Sequence, residues 1–158
     1  MIERISIYDL DGVLVDTSHR YRNLPCGSID LDYWFANNTP EKVAQDKLLP
    51  KAADYRKDLA DPACYVIICT ARAAQWFDLA FIADRLGQPD KVLCRKQGDM
   101  RDDCVIKRNQ LAQLFALRQF AKLKKAASFW DDNKRNIWAV ATLGIACYHV
   151  KSTICEAN

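Results

Sequence analysis

The sequence predicts an α/β fold in three layers, Rossmann-like, with a central parallel sheet between helices. Three observations carry that prediction. Five short apolar runs alternate with longer stretches of helical character, the signature of strand–helix–strand units. One of the runs, CYVIICT at 64–70, is apolar almost throughout, as in a strand buried on both faces of a parallel sheet. Polar groups stand at the carboxyl ends of three of these runs, Asp9, Thr70 and Asp131, where open α/β sheets bind their ligands.

The elements follow in order. RISIYD (4–9) alternates β-branched and aromatic residues with others and reads as a strand ending at Asp9. The stretch between Asp16 and Thr39 is irregular, with Pro25, Gly27 and the acidic-aromatic DLDYWF at 30–35. It reads as a small flap over about 17–39, because so few residues cannot build a core of their own. Thr39-Pro40-Glu41 opens a helix over about 40–60, a cap residue followed by proline at the first helical position. After the strand at 64–70, a helix over 73–86 stops at Gly87 and KVLC (91–94) is a strand. A helix over 104–125, the strand SFWD (128–131), a helix over 133–142 stopped by Gly144 and the strand IACYHV (145–150) complete the pattern. Trp76, Trp130 and Trp138 fall at positions expected to pack in the core.

The chain has 158 residues, most simply one domain over 1–158, enough to bury a core without disulfides or structural metal. The formal net charge of +3 hides an asymmetry: residues 1–62 are net acidic and residues 63–158 net basic. The later part can offer a basic surface to an anionic partner, although a plain solvated helix face is the simpler account. Cysteines 26, 64, 69, 94, 104, 147 and 155 lie scattered and never as CxxC. That pattern argues against a zinc site or a disulfide-linked partner and for a reducing compartment. No run approaches the roughly 18 apolar residues of a membrane span, so the expectation is a cytoplasmic protein.

The acids at strand ends suggest the chemistry. Asp9, Asp11, Asp131 and Asp132 together would repel unless a cation sat among them, and oxygen ligands without histidine suit a hard ion such as Mg²⁺. The only histidines are His19 and His149. A carboxylate can also be a nucleophile that is transiently phosphorylated, with a second carboxylate as acid and then base. Thr70 and Lys107 could hold the oxygens of the transferring group. Singly each has a plain reading: turn or cap acids, a strand-end hydroxyl, a solvated lysine. Their order and placement together point to phosphoryl transfer.

These residues resemble the haloacid dehalogenase (HAD) superfamily of aspartate-nucleophile phosphatases. DLDGVL (9–14), Thr70, Lys107 and Asp131-Asp132 match its four motifs in order. The resemblance extends to the 3′-phosphatase domain of phage polynucleotide kinase/phosphatase, through Arg20, Arg72 in TAR, and above all CRKQGDMRDDCVIK at 94–107. It covers most of the chain and is weak over 21–62. It implies Asp9 as nucleophile and Asp11 as general acid/base. Asp9, the Asp11 backbone carbonyl, Asp131 and Asp132 would hold Mg²⁺, and Thr70 and Lys107 would bind the phosphoryl group. Asp103 would orient Lys107 from one helical turn away, and Arg20 and Arg72 would contact substrate or brace the site. No GxxxxGK[ST] loop occurs among the five glycines, so the kinase half of the bifunctional enzyme is not expected of this chain.

The expected function is therefore removal of 3′-phosphates from DNA or RNA ends in nucleic-acid repair. A flap in place of a cap domain leaves room for a polymer end, and Tyr21, Tyr33 and Trp34 could stack on a terminal base or simply pack the flap. Hydrolysis of a mononucleotide or another small phosphoester is the alternative. A non-enzymatic binding module on the same scaffold is the third, disfavoured by the presence of both nucleophile and acid.

Overall fold

The computed structural model describes residues 1–151. Strand β1 (Arg4–Tyr8) lies at the centre of a five-stranded sheet with β4 (Cys64–Cys69), β5 (Lys91–Leu93), β6 (Ala127–Asp131) and β7 (Ala146–His149). The order is β5-β4-β1-β6-β7 and every pairing is parallel. Alternation along each strand sends neighbouring side chains to opposite faces. Ile5, Ile7, Ile67, Cys69 and Phe129 pack on one face with Leu111, Leu114 and Phe115 of α5 (Asp103–Ala116) and Val140 of α7 (Lys134–Ala141). Tyr8, Val66 and Ile68 pack on the other with α3 (Ala52–Ala60) and α4 (Trp76–Phe81), through Ala52, Tyr55 and Phe81. This is the three-layer parallel architecture expected.

The strand ends register closely. Tyr8 pairs with Ile68 on one side and Trp130 on the other, which brings Asp9, Thr70 and Asp131 to one edge of the sheet. Asp9 N–H donates to the Trp130 carbonyl at 2.9 Å, and Thr70 N–H to the Leu93 carbonyl at 2.8 Å. The in-register residues Tyr8, Trp130 and Tyr148 stack across three strands, with ring centroids 4.8 and 5.5 Å apart.

The expected helices run shorter than their sequence signals. The segment 40–60 divides into α2 (Pro40–Val43), a two-residue strand β3 (Lys47–Leu48) and α3. β3 pairs antiparallel with β2 (Val15–Asp16), a hairpin of distant partners that no local periodicity announces. Thr39 does cap α2, accepting a hydrogen bond from Lys42 N–H, with Pro40 first in the helix. The segment 104–125 breaks at Leu117, whose backbone is extended, into α5 and α6 (Arg118–Ala121). Between Asp16 and Thr39 a single helical turn (Ser18–Arg20) and α1 (Leu31–Asn37) form the flap, and Asp30 caps α1 by accepting from Tyr33 N–H.

Of the tryptophans expected in the core, only Trp130 packs against it; Trp76 and Trp138 stand 72% and 68% exposed. Each sits on a helix whose buried face is already filled by other residues, Phe81 in α4 and Val140 in α7. The cysteines of the described residues are unpaired; Cys155 lies outside them. No helix among the described residues is long and apolar enough to cross a membrane.

Candidate active site

Asp9 leaves the end of β1 into a tight turn. Leu14 and Val15 N–H both return to the Leu10 carbonyl, and Gly12 N–H donates to the Val15 carbonyl. Gly12 has φ +77°, and a Cβ there would run into the Asp132 carboxylate. Glycine is thus required twice, for its backbone angle and for the close approach of an acid. The turn sends Asp9 and Asp11 to different partners.

Asp9 belongs to a buried charge cluster. The Lys107 ammonium, brought in by α5, lies 2.6 Å from Asp9 Oδ1 and 2.6 Å from Asp131 Oδ2. Asp131 is completely buried and also accepts from Asn133 N–H at 2.8 Å and from Asn136 Nδ2 on both oxygens at 3.1 Å. Burial works against the Lys107 ammonium, but Asp9 and Asp131 outweigh it and hold its pKa above the lysine range. Burial above all, then the charges of Asp131 and Asp11, pushes Asp9 upward against the pull of Lys107. Burial and the neighbouring Asp131 charge likewise push Asp132 up to about 6.

One ammonium therefore faces three carboxylates. Asp9, Asp131 and Asp132 each place an oxygen within 4.8 Å of the others. An all-oxygen, charge-deficient set of this kind fits a hard divalent cation. Three of the four expected ligands, Asp9, Asp131 and Asp132, are thus brought together, and the imbalance of charge gives a physical reason for a cation between them.

Asp11 takes the other direction. Arg72 grips it with two donors, Nε at 3.3 Å from Oδ2 and Nη2 on Oδ1. The third guanidinium nitrogen, Nη1, binds Asp78 Oδ1 at 2.5 Å. Burial raises the Asp11 pKa, but the Arg72 charge and hydrogen bonds outweigh it and leave the group below the usual carboxylate value. Thr70 is buried at the end of β4, and its hydroxyl accepts from Arg72 N–H at 3.1 Å. The Thr70 hydroxyl, Arg72 and Asp11 are joined in one chain of contacts.

Asp103 does not take its expected partner, and Arg20 takes the bracing role and not the substrate contact. Asp103 does not orient Lys107: it receives Arg95 Nη2 at 2.5 Å and is 53% exposed, while the Lys107 ammonium is spent on Asp9 and Asp131. The i,i+4 spacing puts the two on one helical face, but a buried ammonium turns to the buried acids. Arg20 does not present itself to a substrate either. It is completely buried, its Nε and Nη2 on the two oxygens of Asp46 at 2.8 and 2.9 Å and its Nη1 on Asn38 Oδ1 at 3.0 Å. It braces the flap, the other role the resemblance allowed. Arg72 is also buried and contacts Asp11 and Asp78.

Four residues at the site escaped the sequence reading. Asn136 holds both oxygens of Asp131; its signal was its place in the DDNKRN run, five residues on. Asp78 fixes Arg72 and closes a capping box with Gln75, a pairing that Gln75-x-x-Asp78 spells out. Asp46 lies in an irregular link and had no local signal. Arg95 gathers the carbonyls of Ala71, Asp99 and Arg101 and thereby folds the QGD loop against the end of β4.

Comparison with known proteins gives this site its family. A family model described as bacteriophage T5 5′-deoxynucleotidase matches residues 1–138. The chain belongs to that family. Residues of the chain amounting to 51% of its length are 34% identical, over 86 positions, to the 5′-deoxynucleotidase of Escherichia phage T5. The match spans 34% of that relative's length. Among solved structures, a chain of the Pnkp1/Rnl/Hen1 RNA repair complex is similar at a TM-score of 0.65 and 22% identity, covering 94% of this chain and 42% of that one. A HAD-superfamily hydrolase of Geobacter sulfurreducens is similar at 0.65 and 15% identity, covering 96% and 88%. A haloacid dehalogenase-like hydrolase of Streptococcus pneumoniae is similar at 0.63 and 15% identity, covering 92% and 83%. The T5 5′-deoxynucleotidase family member described here thus shares the fold of these haloacid dehalogenase-like hydrolases.

Proposed function

We propose that this chain is a Mg²⁺-dependent phosphatase of deoxynucleoside 5′-monophosphates that works through an aspartyl phosphate. The observation that supports it most is the cluster of Asp9, Lys107, Asp131 and Asp132 in a chain of a 5′-deoxynucleotidase family. Asp9, Asp131, Asp132 and the Asp11 carbonyl would hold the ion, which supplies positive charge to the phosphoryl oxygens and to the crowded carboxylates.

Asp9 attacks phosphorus, and the bond from phosphorus to the ester oxygen breaks. Lys107 and the Thr70 hydroxyl face the equatorial oxygens, where charge develops. Asp11 gives its proton to the departing nucleoside oxygen. It then takes one from the water that attacks the phosphoaspartate, and inorganic phosphate leaves. Arg72 holds Asp11 as a carboxylate, the form the second half requires. The first half requires the acid, so Asp11 must turn from Arg72 towards the leaving oxygen.

The second reading is the polynucleotide 3′-phosphatase expected from sequence. The resemblance of CRKQGDMRDDCVIK to that domain favours it, and the short flap in place of a cap domain leaves space for a strand end. The test is kcat/KM on a deoxynucleoside 5′-monophosphate, its 3′-monophosphate and a 3′-phosphorylated oligonucleotide, each with Mg²⁺. The 5′-monophosphate is expected to lead. An oligonucleotide preferred tenfold or more would replace the first reading with the second.

A further inference from the structure

The reaction requires Asp11 to leave Arg72, and a buried cation does not part from an anion freely. The Arg72 side chain is only 3% exposed, and the Trp34 indole covers its guanidinium, 5.6 Å from ring centroid to Cζ. A charge enclosed in this way must stay paired, because removing one partner of a buried pair leaves the other uncompensated. In the first half of the reaction Asp11 carries a proton and turns to the leaving oxygen, so it brings Arg72 no negative charge. Another group must balance the arginine for that interval.

Among the described residues, the acids that pair with Arg72 are Asp11 and Asp78, and they differ in freedom. Asp11 lies in the turn at Gly12 and its side chain is 33% exposed. Asp78 is wholly enclosed. One of its oxygens accepts from Arg72 Nη1 at 2.5 Å and the other from Gln75 N–H at 2.8 Å. It stands in the first turn of α4, inside the capping box with Gln75. Tied at both oxygens and shut away from water, Asp78 has nowhere to turn. Asp11 is the movable partner of the arginine and Asp78 the fixed one.

We propose that Asp78 is the standing counter-ion of Arg72, and that its charge is what lets Asp11 swing from the arginine to the leaving oxygen. Asp78 touches no reacting atom; it is a positioning residue that acts through Arg72. A neutral side chain at 78 would leave the guanidinium Asp11 alone as its balancing charge and hold the acid where it cannot serve the leaving group. The inference rests on the reading of Asp11 as the acid of an aspartyl-phosphate route.

The test is the dependence on the leaving group. A nucleoside oxygen needs a proton as it departs, whereas p-nitrophenolate is stable enough to leave without one. The quantity measured is kcat/KM with Mg²⁺ on a deoxynucleoside 5′-monophosphate and on p-nitrophenyl phosphate, since for both it reports the steps up to the phosphoenzyme. Asp78→Asn keeps the size of the side chain and an oxygen for Gln75 N–H, and removes the charge. It should lower kcat/KM at least thirtyfold on the nucleotide and less than threefold on the aryl ester. Equal losses on both substrates would reduce Asp78 to a cap of α4 and overturn the proposal.

Asp11→Asn tells a failure of this proposal from a failure of the reading beneath it. It should show the same selective loss on the nucleotide. Equal losses there would sink Asp11 as the acid and the proposal with it, whereas a selective loss in Asp11→Asn but not in Asp78→Asn would overturn the proposal alone. Should Asp78→Asn fail to fold, the double variant Arg72→Gln with Asp78→Asn removes both charges of the buried pair together. Compared with Arg72→Gln alone, it should lose no further selectivity between the two substrates. An added tenfold loss on the nucleotide would show that Asp78 acts other than through Arg72 and would overturn the proposal.

Discussion

At the scale of single residues, the site is a problem of charge solved by direction. Asp9 and Asp11 stand one residue apart, yet one faces Lys107 and the other Arg72. Gly12 makes that separation possible. Gly12→Ala combines an unfavourable positive φ with a collision against Asp132. It should lower kcat at least a hundredfold and displace Asp132, visible as weakened Mg²⁺ binding by calorimetry; near-normal activity would show that the turn tolerates a Cβ. Asp9→Asn tests the nucleophile. It should abolish burst release of the nucleoside and trapping of a phosphoenzyme, while circular dichroism and chromatographic behaviour stay those of the unaltered protein. Activity within tenfold of normal would exclude a covalent route through Asp9. The identities of Asp9, Asp11, Thr70, Lys107, Asp131 and Asp132 were legible because motif order and strand-end placement are properties of the sequence. The partners of Asp103 and Arg20 were not. Which acid an arginine or lysine meets depends on burial, and both side chains chose partners that folding brings from elsewhere in the chain.

At the scale of elements, the sheet was legible and the connections were not. All five strands fall where apolar runs predict them. In the inner strands β1, β4 and β6 burial is written into the composition, while the edge strands β5 and β7 keep apolar runs although they are largely exposed or half-exposed. The hairpin β2–β3 is two residues per strand, too short to leave a pattern. The break at Leu117 has neither glycine nor proline to mark it. The helix of the flap buries none of its residues, and the buried Arg20–Asp46 pair is the root that holds it. Removing one partner leaves the other charged and buried, which costs about 3–5 kcal/mol. Arg20→Met should therefore destabilise the protein by about that amount in denaturant titrations. The double change Arg20→Met with Asp46→Leu should recover a large part of the loss. If the double variant is as unstable as the sum of the two single ones, the pair is not the unit that anchors the flap.

At the scale of the whole molecule, the fold gathers three carboxylates at one sheet edge and provides one buried ammonium against them. Part of the stability is therefore left for a cation to supply. A ligand that binds only the folded chain adds about 2.7 kcal/mol at a hundred times its Kd. A domain of this size gains roughly 2–4 °C in Tm for each kcal/mol, so saturating Mg²⁺ should raise Tm by about 5–10 °C. The pH dependence follows from Asp132, which burial and Asp131 push up to about 6. Raising a carboxylate pKa on folding favours the protonated form. The ion-free protein thus loses this contribution to stability as pH rises through 6, while the metal, which needs the carboxylate ionised, binds better over the same range. Both are one competition, between the Asp132 proton and the metal, and it enters once in the difference between the protein with and without Mg²⁺. The Tm gain should accordingly be larger at pH 7.5 than at pH 5.5, and chelation should remove it at both. A gain independent of pH would place the ion away from Asp132, and no gain at any pH would mean that Lys107 alone suffices to hold the acids together.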